Sequence, residues 1–86
     1  MLQILSPLGR IGEVVSDLTK AIQLQPSARL YRHRGTLHFM SEDYATAHED
    51  FQLSLELNRN QPIAMLYKGL TFFHRGLLKN EVESLQ

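Results

Sequence analysis

The chain has 86 residues, room for one small domain, and a domain of that size buries only about 60% of the surface its unfolded form exposes. Nine basic and nine acidic residues cancel, so charge gives no pull toward nucleic acid or an anionic membrane. Cysteine is absent, which excludes disulfides and thiolate metal sites, and no apolar run approaches the roughly 20 residues of a membrane helix.

The opening stretch from Met1 to Pro7 has no basic leader, long apolar core or small-residue cleavage site. It does not read as a signal peptide, and the compartment is left as cytoplasm by default. Helical periodicity starts at Ile11. Ile11, Val14, Val15, Leu18, Ala21 and Ile22 recur in steps of three and four up to Leu24, and Pro26 ends the run. Ser27 can cap a second helix, expected from Ala28 to Met40. The cluster Ser41-Glu42-Asp43 separates it from a third, Tyr44 to Leu57, whose stripe is Tyr44, Ala47, His48, Phe51 and Leu55. Asn58 to Gln61 reads as a turn, and Pro62 suits the first position of a fourth helix running to about Arg75. Gly76 is expected to break that helix, with a fifth beginning at Lys79 and running to Gln86. No stretch alternates with period two, so the expected class is all-α, antiparallel helices joined by short turns.

An internal repeat separates this from an ordinary bundle. Gly35 recurs as Gly69, and at nearly the same interval Asp17 recurs as Asp50, in the similar strings Ser16-Asp17-Leu18 and Glu49-Asp50-Phe51. Ala21-Ile22-Gln23-Leu24 recurs as Ser54-Leu55-Glu56-Leu57. The fullest unit reads Tyr31-x-x-Arg34-Gly35-x-x-His38, then Ala47-x-x-x-Phe51. A Gly on one helix and an Ala on the next allow close backbone approach, with Tyr31 and Phe51 filling the space around it. This pattern resembles the tetratricopeptide repeat over roughly Gly9 to Gly76. The resemblance implies an α–α superhelix of about two and a half units. They are residues 9–26 (second helix only), 28–59 (a full hairpin) and 62–86 (a hairpin with a truncated second helix), a piece of a longer array. Structural packing is expected at Tyr31, Gly35, Ala47, Phe51, Gly69 and Phe72, with Met65 alongside. Three residues depart from the family pattern: His38 replaces a Tyr, Arg59 stands where proline is common, and Glu81 stands where a small residue is wanted.

By the same resemblance, the first helix of each hairpin lines a concave groove. One wall would be Arg29, Arg32, His33, Thr36, Phe39 and Met40, and the other Ile63, Leu66, Tyr67, Leu70, Phe73 and His74. The family's carboxylate clamp is incomplete here. Arg32 could supply its cation, but Thr36 and Tyr67 occupy the Asn positions. Ile63, Leu66, Leu70 and Phe73 share one helix face, separate from the packing face of Met65, Gly69 and Phe72. A helix apolar on two faces must bury both, against a peptide, a partner helix or a neighbouring repeat. Arg29 and Arg32 would favour an acidic ligand.

Nothing in the sequence builds a catalytic or metal site. His33, His38, His48 and His74 lack the four-residue helical spacing of a zinc protease motif, and His38 and His48 fall on packing stripes. Glu42, Asp43, Glu49 and Asp50 read as caps or a solvated helix face. Ser41 has no marked base, and Gly9 and Gly12 form no phosphate loop. Arg29, Arg32, Arg34 and Lys68 with Tyr31 and Tyr67 could suggest an RNA-reading repeat, but the units are too few and net charge is absent. The expected function is therefore non-catalytic binding of a protein or peptide segment, with no cofactor, metal, nucleic acid or membrane. The alternative is a structural filler repeat without its own ligand. Because repeats stabilise one another, the isolated chain is expected to be weakly stable or to self-associate through its uncapped ends.

Overall fold

A computed structural model describes the backbone of residues 7–84 and the side chains of residues 10–76. Within that range the chain is helical: α1 Pro7–Leu24, α2 Ala28–Met40, α3 Tyr44–Leu57 and α4 Pro62–Ser84. Each helix starts at a residue suited to a start. Proline opens α1 and α4, where its missing N–H has no partner to lose. The Ser27 hydroxyl accepts the Leu30 N–H at 3.1 Å, and the Asp43 carboxylate accepts the Thr46 N–H at 3.4 Å. The start at Pro7 lies a full turn ahead of the expected Ile11.

The turn between α2 and α3 closes on an unusual residue. The Glu42 N–H reaches the Phe39 carbonyl at 3.0 Å and the Asp43 N–H reaches the His38 carbonyl at 2.9 Å. This nested pair is the Schellman closure of a helix C-terminus, which needs a left-handed residue just beyond the cap. Glu42 fills that place with φ of 63°, a conformation glycine adopts at little cost.

Successive helices pack in order: α1 on α2, α2 on α3, α3 on α4, with α2 also touching α4. Among the described residues α1 reaches neither α3 nor α4, so the helices stack instead of closing into a ring. The core is small. Ala47, Phe51 and Ala64 are fully buried, with Phe39, Leu55 and Tyr67 packed around them, while Leu18 and Ile22 bury the inner face of α1.

Gly35 meets the expectation of a tight approach. A Cβ placed there would lie 3.1 Å from the Cβ of Asp50 and 3.2 Å from the Phe51 ring. The nearest atoms thus come from Asp50 and Phe51, one turn along α3 from Ala47, which packs into the core beside them.

The C-terminal expectations need correction. α4 runs unbroken through Gly76 to Ser84, and no separate fifth helix forms within it. A glycine inside a helix costs only about 1 kcal/mol, and no proline follows to enforce a stop. Residues 85–86 and the side chain of Glu81 lie outside the described range. Because α4 continues unbroken, no later described segment folds back over Met65, Gly69 and Phe72. Among the described residues no atom approaches within 4 Å of a Cβ built at Gly69, and Phe72 is 68% exposed. Gly69 and Phe72 therefore do not form the helix contact expected of them.

The Glu42 conformation gives a test. Glu42→Gly removes the side-chain clash of a left-handed residue, partly offset by the greater freedom of glycine in the unfolded chain. Chemical denaturation should show a gain of about 0.5–1 kcal/mol.

Candidate functional site

Two buried polar networks position the helices. In the first, Arg34 on α2 grips Asp50 on α3 with both ends of its guanidinium: Nε donates to Oδ2 at 2.9 Å and Nη2 to Oδ1 at 2.8 Å. Its remaining Nη1 donates to the Thr19 hydroxyl of α1 at 3.2 Å, so one side chain ties three helices. Tyr31 lies beneath the guanidinium, 5.6 Å from ring centre to Cζ. The His38 ring approaches Asp50 and Asp43 on its two sides at 3.8 Å each. The hydrogen bonds from Arg34 to Asp50 raise the arginine's pKa above its ordinary value, against the smaller opposing effect of burial. Asp50, expected on a solvated face, is buried, because the bare backbone at Gly35 lets α3 come close enough to bring the carboxylate inside.

The second network surrounds Gln61, just before α4. Its Nε2 donates to the Asn58 carbonyl at 2.6 Å and the Ser54 carbonyl at 3.0 Å, and its Oε1 accepts from Arg32 at 3.0 Å. The Ser54 hydroxyl donates to the Ala28 carbonyl at 2.6 Å. The start of α2, the end of α3 and the entry to α4 are thereby pinned together. Among the described residues, every buried side-chain nitrogen and oxygen has a partner. Neither network has a spacing signature; both connect residues that only the fold brings together.

The residues expected to line the groove divide into two groups. Phe39, Tyr67 and His74 pack between α2 and α4. Phe39 meets Tyr67 edge-on at 5.2 Å and His74 at 5.8 Å. Tyr67 also stacks on Phe51 at 5.5 Å, and His74 lies flat on Tyr44 at 4.6 Å. Arg32 is held by Gln61, and the Thr36 hydroxyl donates back to the Arg32 carbonyl at 2.9 Å. The other seven, Arg29, His33, Met40, Ile63, Leu66, Leu70 and Phe73, are exposed. Ile63, Leu66 and Phe73 each leave 60–62% of their surface in solvent. An aromatic floor between α2 and α4 is thus flanked by open apolar side chains on α4 and by basic side chains at the start of α2.

The side of α4 against α3 carries Ala64 and Thr71, both fully buried, with the Thr71 hydroxyl donating to the Lys68 carbonyl at 2.8 Å. Beside them, half-buried His48 on α3 sits 6.1 Å from the Phe72 ring. Partial burial, then the nearby cations Arg75 and Lys68, lower its pKa below the ordinary 6.5, while Glu49 opposes them. Among the described residues no three His, Asp or Glu side chains gather as a metal site would require, and no helix is long and apolar enough to cross a membrane. Arg34, one of the four basic residues that could suggest RNA, is committed to Asp50.

Similarity to known proteins agrees with this architecture. Over 84 residues, 98% of this chain, the sequence is 84% identical to tetratricopeptide repeat protein 13 of Homo sapiens. The chain belongs to the tetratricopeptide-repeat family. It spans 10% of the length of that relative. It is also 37% identical over 73 residues to the protein SGT1 homolog of Homo sapiens and 36% identical to that of Bos taurus, spanning 19% and 21% of their lengths. No family model matches the chain, and no solved structure matches it significantly. Tetratricopeptide-repeat proteins form a protein-interaction repeat family.

Two measurements probe the site's framework. Arg34→Met leaves the buried Asp50 carboxylate without its main partner and should cost about 3 kcal/mol. Adding Asp50→Leu should recover part of that loss, so the double variant melts above the single one. For His48, a depressed folded pKa means the unfolded chain takes up its proton first. The histidine's contribution to stability is full above pH 6.5 and is lost as pH falls through the folded value. His48→Gln should flatten the stability profile across that interval, read as denaturation midpoint against pH.

Proposed function

We propose that the chain is a non-catalytic binding module that receives an apolar peptide or helix segment in the groove between α2 and α4. The exposed stripe Ile63, Leu66, Leu70 and Phe73 is the main support for this reading. A helix facing water does not keep a contiguous apolar stripe open without a use for it. The floor of Phe39, Tyr67 and His74 offers flat aromatic surface, and the hydrogen-bonded framework beneath keeps it in place before any ligand arrives. Arg29 and His33 at the exposed edge of α2 favour a ligand with carboxylates beside its apolar anchors. Arg32, held by Gln61, supports the wall more than it reaches outward.

The reading is that of a helix-in-groove or extended-peptide receptor, with leucine- or phenylalanine-type anchors entering between Leu66, Leu70 and Phe73. A carboxylate clamp is disfavoured: the Thr36 hydroxyl turns to its own helix, and Tyr67 stacks on the core.

A second reading, structural filler without a ligand, draws on the opposite side of α4, where Met65 and Phe72 are also open. Fluorescence anisotropy with three labelled peptides separates the two readings: an amphipathic acidic helix, its scrambled sequence, and a tail ending in a free carboxylate. The amphipathic peptide should bind most tightly. The double variant Leu66→Ser/Phe73→Ser should weaken it about tenfold or more while circular dichroism stays helical. Equal affinity of wild type and double variant would leave the filler reading standing.

A further inference from the structure

We propose that this chain self-associates head to tail, the Val14–Asp17 face of α1 in one copy seating on the Met65–Lys68–Gly69–Phe72 face of α4 in the next. The chain contains its own template for this contact. Tyr31, Arg34, Gly35 and His38 on α2 recur one repeat later as Met65, Lys68, Gly69 and Phe72 on α4. Ala47, Asp50 and Phe51 on α3 correspond, one repeat earlier, to Val14, Asp17 and Leu18 on α1. The first set is covered by α3, with Asp50 and Phe51 against the bare backbone at Gly35 and the Arg34–Asp50 pair beside them.

The corresponding surfaces on α4 and α1 are open. Among the described residues nothing lies within 4 Å of a Cβ at Gly69, Met65 is 60% exposed, Val14 and Asp17 are both exposed, and Lys68 is half-buried. Each side supplies what the other lacks. Gly69 offers the groove a close helix needs, Val14 a small branched knob, and Lys68 and Asp17 carry opposite charge at the positions where Arg34 and Asp50 pair. Leu18 already packs within its own chain and forms the edge of the contact.

The occupant is a second copy because both complementary faces belong to one chain and do not meet within it. Among the described residues α1 and α4 do not touch. Such a contact joins unlike surfaces, so it adds copies in series instead of closing a two-fold dimer. It uses a different side of α4 from the Leu66–Phe73 groove and does not depend on that reading.

Sedimentation velocity of the whole chain, from micromolar to submillimolar, tests it. The average mass should rise with concentration beyond a dimer. Asp17→Lys alone and Lys68→Glu alone should each weaken association about tenfold or more, since each sets like charges face to face. Mixing the two variants should restore association, because every contact in an alternating series then pairs opposite charges. Gly69→Leu should stay helical by circular dichroism yet remain monomeric. Leu66→Ser/Phe73→Ser should still associate. A wild-type chain that is monomeric throughout, association that ignores both charge reversals, or association lost only in the groove variant would overturn the proposal.

Discussion

The bare backbone of Gly35, where α3 crosses it, is the constraint from which most other features follow. With 3.1–3.2 Å between a notional Cβ and the atoms of Asp50 and Phe51, no larger side chain fits without displacing α3. That proximity brings the Asp50 carboxylate inside, where the Arg34 guanidinium meets it on two atoms. The geometry matters as much as the charge. A planar, two-pronged cation satisfies a planar carboxylate and still has a donor left for Thr19 on a third helix. Phe51, driven into the centre by the same approach, becomes the surface on which Tyr67 stacks and α4 is seated.

Gln61 solves a different problem. The end of α3 leaves carbonyls without partners, and the family's usual proline is replaced by Arg59. One amide side chain answers both ends of the turn. Gln61 donates to the Asn58 carbonyl and adds a second bond to the Ser54 carbonyl, which already accepts the Asn58 N–H at 3.0 Å, and its own backbone carbonyl accepts the Met65 N–H of α4 at 3.0 Å. Its remaining oxygen takes the Arg32 guanidinium, which settles α2 against α4. The start of α4 is therefore held by polar contacts on its inner side, while Ile63 and Leu66 stay exposed on the other.

α4 is the least balanced element. One side meets α3 through Ala64 and Thr71 and another meets α2 through Tyr67 and His74, yet Met65, Leu66, Phe72 and Phe73 all remain open. Much of its circumference is apolar surface without cover among the described residues. A stack of repeats transfers this requirement from each unit to its neighbour, because every helix pair depends on the next for burial. The peptide-receiving face proposed for Leu66 to Phe73 and the copy-to-copy face proposed for Met65 to Phe72 would answer that one requirement on two sides of α4.

Much of this was legible in the sequence. Apolar residues at steps of three and four, Pro26 and Pro62, and the capping oxygens of Ser27 and Asp43 act within a few residues of where they stand, so they placed α2 and α3 at their observed bounds. The recurrence of Gly35 as Gly69 announced a stack of repeats. What the sequence left open depends on partners distant along the chain. Asp50 reads as one more acid on a solvated face until Gly35, on the preceding helix, admits it to the interior. Gly69 matches Gly35 letter for letter, yet one is crowded and the other open, because α3 folds back over the first while α4 runs straight past the second. Local chemistry determined which residues become helices and where two of them end. Burial and the pairing of charge belong to the tertiary structure, because each depends on what another helix brings within a few ångströms.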